Sequence, residues 1–281
     1  MRPTMRTERA PARRLAGPAG RPRGFTLIEA VMVIAITGVV IGIVALFIAP
    51  ATTAYFSSSA RAQLGDAADT ALRRIARDLA QALPNSARVS ANGQSLELIP
   101  VSGAARYATD SGNPLLFGVV DTVFDIVGPP LKLSRAGQQL AWYNLGAGTP
   151  DADAYTLSNV RTATSPAGSA TSVGLSGAPL PNALQSPPFR VYAIEPPVSY
   201  RCDLTVGTLT RYSGYGFSAT QPDPPTAGTA AVLARDVSAC QFTYSAGAVA
   251  ARYALVTLQL SLSRNGETIN LYHAVHVDNL P

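Results

Sequence analysis

Charge is scarce in this chain. Acidic and basic residues together fill 14% of its 281 positions, against about 25% in an ordinary soluble domain. That balance argues against a cytosolic protein and excludes a coiled-coil rod or a charge-rich disordered tail. Lysine occurs once, at Lys132, so arginine carries nearly all the positive charge; the bias reflects base composition and not function. Histidine occurs twice, at His273 and His276. Three apart in an expected strand, the two point to opposite faces and cannot clamp one metal ion from it. Asp121, Asp125, Asp151, Asp153 and Asp223 lack the dense Asp/Asn-Gly spacing of a calcium loop and read as solvated loop acids. There is no phosphate-binding glycine loop, no nucleophile elbow and no Ser-His-Asp set. No enzyme, metal or other cofactor is expected. The 23 glycines and 22 prolines make turns frequent without collagen's repeat.

The net charge of +5 at pH 7 is unevenly placed. Seven of the 22 basic residues (Arg2, Arg6, Arg9, Arg13, Arg14, Arg21, Arg23) and one of the 17 acidic ones, Glu8, fall within residues 1–24, leaving the remainder near neutral. A nucleic-acid footprint gathers basic residues on a folded surface, so no direct nucleic-acid binding is expected.

Long apolar runs are lacking too, with one exception, which excludes a polytopic membrane protein. From Phe25 to Ala49 the chain reads FTLIEAVMVIAITGVVIGIVALFIA, with Glu29 its single charge. As a helix this run spans roughly 37 Å, enough for a bilayer core of about 30 Å. The arginines before it hold the leader on the cytoplasmic side, so the rest of the chain lies across the membrane. A cleaved secretory signal has a shorter core, and only Ala49-Pro50-Ala51 offers such a cut. A plain anchor fits the length but leaves Glu29 unexplained, since a carboxylate inside an apolar helix costs roughly 2.5 kcal/mol or more.

Arg23-Gly24-Phe25-Thr26-Leu27-Ile28-Glu29 resembles the processing site of type IV prepilins and type II secretion pseudopilins. The resemblance implies a cut by prepilin peptidase between Gly24 and Phe25, followed by N-methylation of Phe25. It also makes Glu29 the fifth mature residue, the family's acidic position. There the carboxylate meets the amino terminus of a neighbouring subunit, which offsets the cost of both ions and selects the register between helices. Glu29 lies one turn from Phe25, so neutralising its own terminus is the alternative. Gly38 and Gly42 form a small-xxx-small spacing, which reads equally as close helix packing and as ordinary membrane-helix composition.

Beyond the membrane segment, Leu64, Ala68, Ala71, Leu72, Ile75, Leu79 and Ala82 recur at spacings of three and four, which predicts an amphipathic helix ending near Leu83 before Pro84-Asn85-Ser86. From residue 88 the reading is β, with candidate strands at 95–101, 115–126, 139–144, 190–194 and 241–244. Two alternating runs, 253–264 and 267–278, flank Asn265-Gly266 and predict a hairpin with a type I′ turn. Residues 146–188 read as a loop-dominated insertion with one or two short strands, and 200–217 and 221–226 as surface loop. Cys202 and Cys240, both beyond the membrane, are expected to pair in an oxidising periplasm.

The fold class implied is α+β, the pilin-like lollipop. Residues 1–24 form a cleaved basic leader, 25–49 a transmembrane and assembly helix, 50–83 its amphipathic continuation, and 84–281 a periplasmic β-rich head. The C-terminal HAVHVDNLP resembles the MshO minor prepilins of mannose-sensitive haemagglutinin pilus systems. The resemblance implies a minor pilus subunit in the bacterial inner membrane, single pass, with its amino terminus cytoplasmic. Its implied partners are prepilin peptidase, other major and minor pilins, and an inner-membrane assembly platform. A minor pseudopilin of type II secretion and a membrane-anchored periplasmic binding protein or adhesin are the rival readings.

Overall fold

Helix-forming sequence dominates the first part of the chain, and α1 (Leu27–Ala80) takes up 54 residues of it. The computed structural model describes residues 24–246 and 253–281. The expected leader up to residue 23 lies outside the described residues. The chain divides into two units, residues 1–56 and 57–281. In the first unit, α1 continues through Pro50, whose ring removes one backbone donor. Thr52 and Thr53 donate their hydroxyls to the carbonyls of Ile48 and Pro50, at 3.1 and 2.9 Å.

The second unit holds the rest of α1 and all the strands, every pair of them antiparallel. In chain order these begin with β1 (Arg88–Val89), β2 (Ser95–Leu98), β3 (Val101–Tyr107), β4 (Val123–Val127), β5 (Leu131–Leu133) and β6 (Gln139–Trp142). Next come β7 (Val160–Ala163), β8 (Gly168–Ala170), β9 (Ser172–Ser176), β10 (Arg190–Ile194) and β11 (Val198–Asp203). The last are β12 (Thr208–Ser213), β13 (Thr229–Arg235), β14 (Val237–Ala246), β15 (Tyr253–Arg264) and β16 (Glu267–Asp278). One sheet has the order β1-β2-β11-β12-β13, and a second β14-β15-β16. A closed barrel runs β10-β3-β4-β9-β7-β6, and β5 pairs with β8. The molecule therefore combines one long helix, apolar at its N-terminal end, with an antiparallel β-rich domain, and the barrel is an addition that the sequence did not announce.

The stripe on α1 explains where the first core sits. Leu64, Ala68, Ala71, Leu72, Ile75 and Leu79 are all buried, and they pack on Leu96, Tyr200 and Leu209 of the five-stranded sheet and Leu258 and Leu260 of the three-stranded one. Such a stripe forms because residues three and four apart share one helix face, and burying it stabilises each large side chain by about 1.5–3 kcal/mol. The helix stops at Ala80, before the expected Leu83. Residues 81–83 turn their backbone bonds to the chain entering β3: Leu83 N–H bonds the Ile99 carbonyl at 2.7 Å, and Val101 N–H the Gln81 carbonyl at 2.9 Å.

A second core fills the barrel around Phe124, Leu140, Trp142, Val173 and Val191. Trp142 and Phe124 meet edge to face, with centroids 6.1 Å apart. The β15–β16 hairpin keeps the alternation its sequence dictates, with Ala254, Val256, Leu258, Leu260 and Leu262 buried. Asn265 and Gly266 take φ of 53° and 82°, the pair of positive values a type I′ turn requires.

Four expectations are corrected. Residues 115–126 are not one strand: pairing starts at Val123, because Asp121 holds a turn by accepting the N–H groups of Leu116 and Val123. Residues 95–101 split between β2 and β3, which belong to different sheets. The stretch 146–188 is mostly loop but carries three short strands where one or two were expected, and two of them, β7 and β9, close the barrel and bury Val160, Ala163, Val173 and Leu175. Finally, 200–217 is not surface loop. It supplies β11 and β12, and Tyr200, Cys202 and Leu209 are fully buried there.

Candidate processing and assembly site

Gly24, Phe25 and Thr26 precede α1 and are exposed, Phe25 to 80%. A peptide bond outside regular structure and open to solvent is one that a protease can accommodate. Thr26 begins the helix: its hydroxyl oxygen accepts the Glu29 N–H at 3.3 Å, and its carbonyl accepts the Ala30 N–H at 3.1 Å. Thr26 is thus the N-cap, and Glu29 occupies the third helical position, where a capping box places its acid. The positive end of the helix dipole favours a carboxylate there. This spacing, Thr-x-x-Glu ahead of an apolar run, is legible in the sequence. It gives Glu29 a local role beside the register role that the resemblance implies.

From Leu27 to Ile48 no side chain is buried. Leu27, Ile34, Leu46 and Phe47 are each at least 72% exposed, so the helix is apolar all round and has no inward face within its own unit. A helix of that kind needs lipid or other helices around it, and this one is long and apolar enough to cross a membrane. Gly38 and Gly42, four apart, have open space where a side chain would stand.

The remaining candidate residues lie in the β-rich domain. Cys202 of β11 and Cys240 of β14 form a disulfide with Cα atoms 6.2 Å apart. It joins two sheets that share no strand. His273 is half-buried and His276 exposed, on opposite faces of β16. Asp153 is not a solvated acid: it is 3% exposed and accepts the N–H groups of Gly148 and Tyr155, both at 2.8 Å. Asp223 accepts the Ser95 hydroxyl at 2.6 Å and pairs with Arg201 at 2.8 Å. Among the described residues, no group of three His, Cys, Asp or Glu side chains is placed to hold a metal ion.

Two polar clusters escaped the sequence reading. Glu97, 1% exposed, pairs with Arg88 at 2.5 Å and accepts the Tyr215 hydroxyl at 2.9 Å. The Arg88 guanidinium lies 3.6 Å over the Tyr155 ring. Burial pushes the Glu97 carboxyl above its ordinary value although Arg88 and Tyr215 oppose the shift. Burial and the neighbouring Glu97 raise the Tyr215 hydroxyl. The second cluster ties the C-terminus. Asn279 accepts the Asn85 N–H at 3.3 Å and donates to the Tyr244 hydroxyl at 3.1 Å. No local pattern marks either cluster, because their members come from segments far apart in the chain.

No curated protein and no solved structure matches the chain. Residues 20–45 match the prokaryotic N-terminal methylation motif. That match, at the head of a capped apolar helix, makes the N-terminus of the chain type IV pilin- or pseudopilin-like and implies processing by prepilin peptidase and assembly with other such subunits.

Proposed function

We propose that this chain is a minor prepilin-like subunit in the biogenesis of a type IV pilus of the mannose-sensitive haemagglutinin kind, akin to the MshO minor prepilins. Prepilin peptidase cuts between Gly24 and Phe25 on the cytoplasmic side of the inner membrane and methylates the new amino group of Phe25. The helix over 25–49 then holds the subunit in the bilayer with its β-rich head in the periplasm. Assembly exchanges lipid around that helix for the helices of other pilins, and Glu29 sets the register by meeting a neighbour's amino terminus. An ATP-driven assembly platform supplies the work.

The observation that carries this reading is the methylation motif over 20–45 at the head of a helix whose apolar side chains from Leu27 to Ile48 are all exposed. It is tested by the intact mass and N-terminal sequence of the protein from cells with and without prepilin peptidase. A start at N-methylated Phe25 that depends on the peptidase supports it. An uncut chain, or a start near Ala51, overturns it. Deleting the gene then separates the machines: lost piliation marks a pilus subunit, and lost export of a secreted substrate marks a type II secretion pseudopilin.

A further inference from the structure

β13 is the outer strand of the five-stranded sheet and pairs with β12 alone. Thr229, Ala230, Ala231 and Val232 are exposed along it. Among the described residues, β13 makes no backbone hydrogen bond beyond that pairing. Proteins shield such edges with lysine, proline or inward charges, and Thr229–Leu233 has none of these. Its one irregularity is a bulge at Leu233, between Val232, which pairs with Thr210, and Ala234, which pairs with Leu209. Four residues of regular ladder, Thr229 to Val232, stay open.

Beside that edge lies a cleft of about 490 Å³ between α1 and β13. Arg73, Arg74, Arg77 and Arg211 line it above a floor that includes Ala231 and Leu233. Asp69 pairs with Arg73 at 2.6 Å, and Asp78 with Arg74 and Arg211 at 3.3 and 3.0 Å. Arg77 has no ion pair among the described residues. Four cations against two anions leave the cleft positive.

We infer that β13 accepts an extended acidic segment of another protein, which adds as a sixth strand and turns alternate carboxylates toward Arg73, Arg74 and Arg77. An added strand satisfies the open edge through main-chain bonds, while its inward side chains supply specificity. Because strand side chains alternate faces, only residues at every second position reach the cleft. A lipid headgroup would satisfy the arginines and leave the edge unpaired.

The test uses the full chain in neutral detergent and a fluorescent seven-residue peptide with glutamate at every second position and valine or threonine between. This peptide binds, and a peptide of equal composition with its glutamates contiguous binds about tenfold more weakly, one factor of ten in Kd. N-methylating its backbone, which removes the ladder donors, abolishes binding. Arg77→Ala, which breaks no ion pair among the described residues, weakens binding roughly three- to fivefold, the range of one partly exposed ion pair. Failure of the alternating peptide to bind overturns the inference, as does equal binding of the contiguous or N-methylated peptide. Displacement by micellar phosphatidylglycerol, but not by phosphatidylcholine, also overturns it and makes the arginines a lipid-facing patch.

Discussion

The Tyr200 hydroxyl donates a hydrogen bond to the Asp78 carboxylate at 2.5 Å, joining the five-stranded sheet to the last turns of α1. Arg211 reaches the same carboxylate oxygen at 3.0 Å. Burial raises the Tyr200 hydroxyl well above its ordinary range, and the bond to Asp78 adds to the rise, so it stays a donor at any physiological pH. Asp78 thus anchors a helix that is otherwise seated by apolar packing and by the Arg61–Glu267 ion pair to β16.

Asp78→Ala leaves that hydroxyl and the Arg211 guanidinium facing a gap. The expected loss is about 2–3 kcal/mol of stability, read from urea denaturation, because the partners left behind keep their desolvation cost. Asp78→Asn keeps an acceptor and is expected to cost about half as much. Equal stability of wild type and Asp78→Ala would show that the Tyr200–Asp78–Arg211 contact adds nothing to the seating of the helix.

The Cys202–Cys240 bridge closes a loop with a sequence separation of 38. On the chain-entropy model a loop of this size stabilises the fold by about 4 kcal/mol. Reduction, or Cys202→Ser with Cys240→Ser, should lower the denaturation midpoint accordingly. Trp142, the chain's single tryptophan, is buried in the barrel core. Its fluorescence shows whether the barrel loosens together with the bridged sheets.

Two substitutions separate the proposed register role of Glu29 from a role in capping the helix. Glu29→Gln keeps a polar group at the third helical position and removes the charge, while Glu29→Ala removes both. If the charge fixes register, both variants insert into the membrane normally and neither enters filaments. A capping role alone predicts that Glu29→Gln assembles like wild type. Filament incorporation measured by immunoblot of sheared pili decides between them.

The Glu195 carboxylate accepts from Ser134 at 2.7 Å and from Gln138 at 3.1 Å, and pairs with Arg135. Burial raises its pKa, but these bonds outweigh burial and hold it below the ordinary value of 4.5. A depressed folded pKa stabilises the protein above pH 4.5, and that contribution fades as pH falls through the folded value. The group is partly exposed, so the effect stays under about 1 kcal/mol. Glu195→Gln should therefore be less stable than wild type at pH 7, with the difference closing as pH falls below 4.5 in urea titrations.

Local physics wrote several features directly into the sequence. The apolar run over 27–48 needs no tertiary information to be a helix without an inward face. The stripe from Leu64 to Leu79 follows from helical period, and the β15–β16 hairpin from alternation around Asn265-Gly266. The exposed Gly24–Phe25 bond and Glu29 stood in the same short motif. Tertiary structure decided the rest, because it depended on partners far away in the chain. The barrel closes only when β10 pairs with β3 and β6, segments separated by dozens of residues, and each strand alone is too short to show a period. Tyr200 and Cys202 read as loop beside glycines and polar residues, yet β2 and β12 on either side make their strand central. Asp153 became a buried acceptor, and Asp78 an anchor, when the fold brought donors to them. Sequence spacing governs what a segment can be by itself, and charges and short strands acquire their roles from whatever the chain later folds against them.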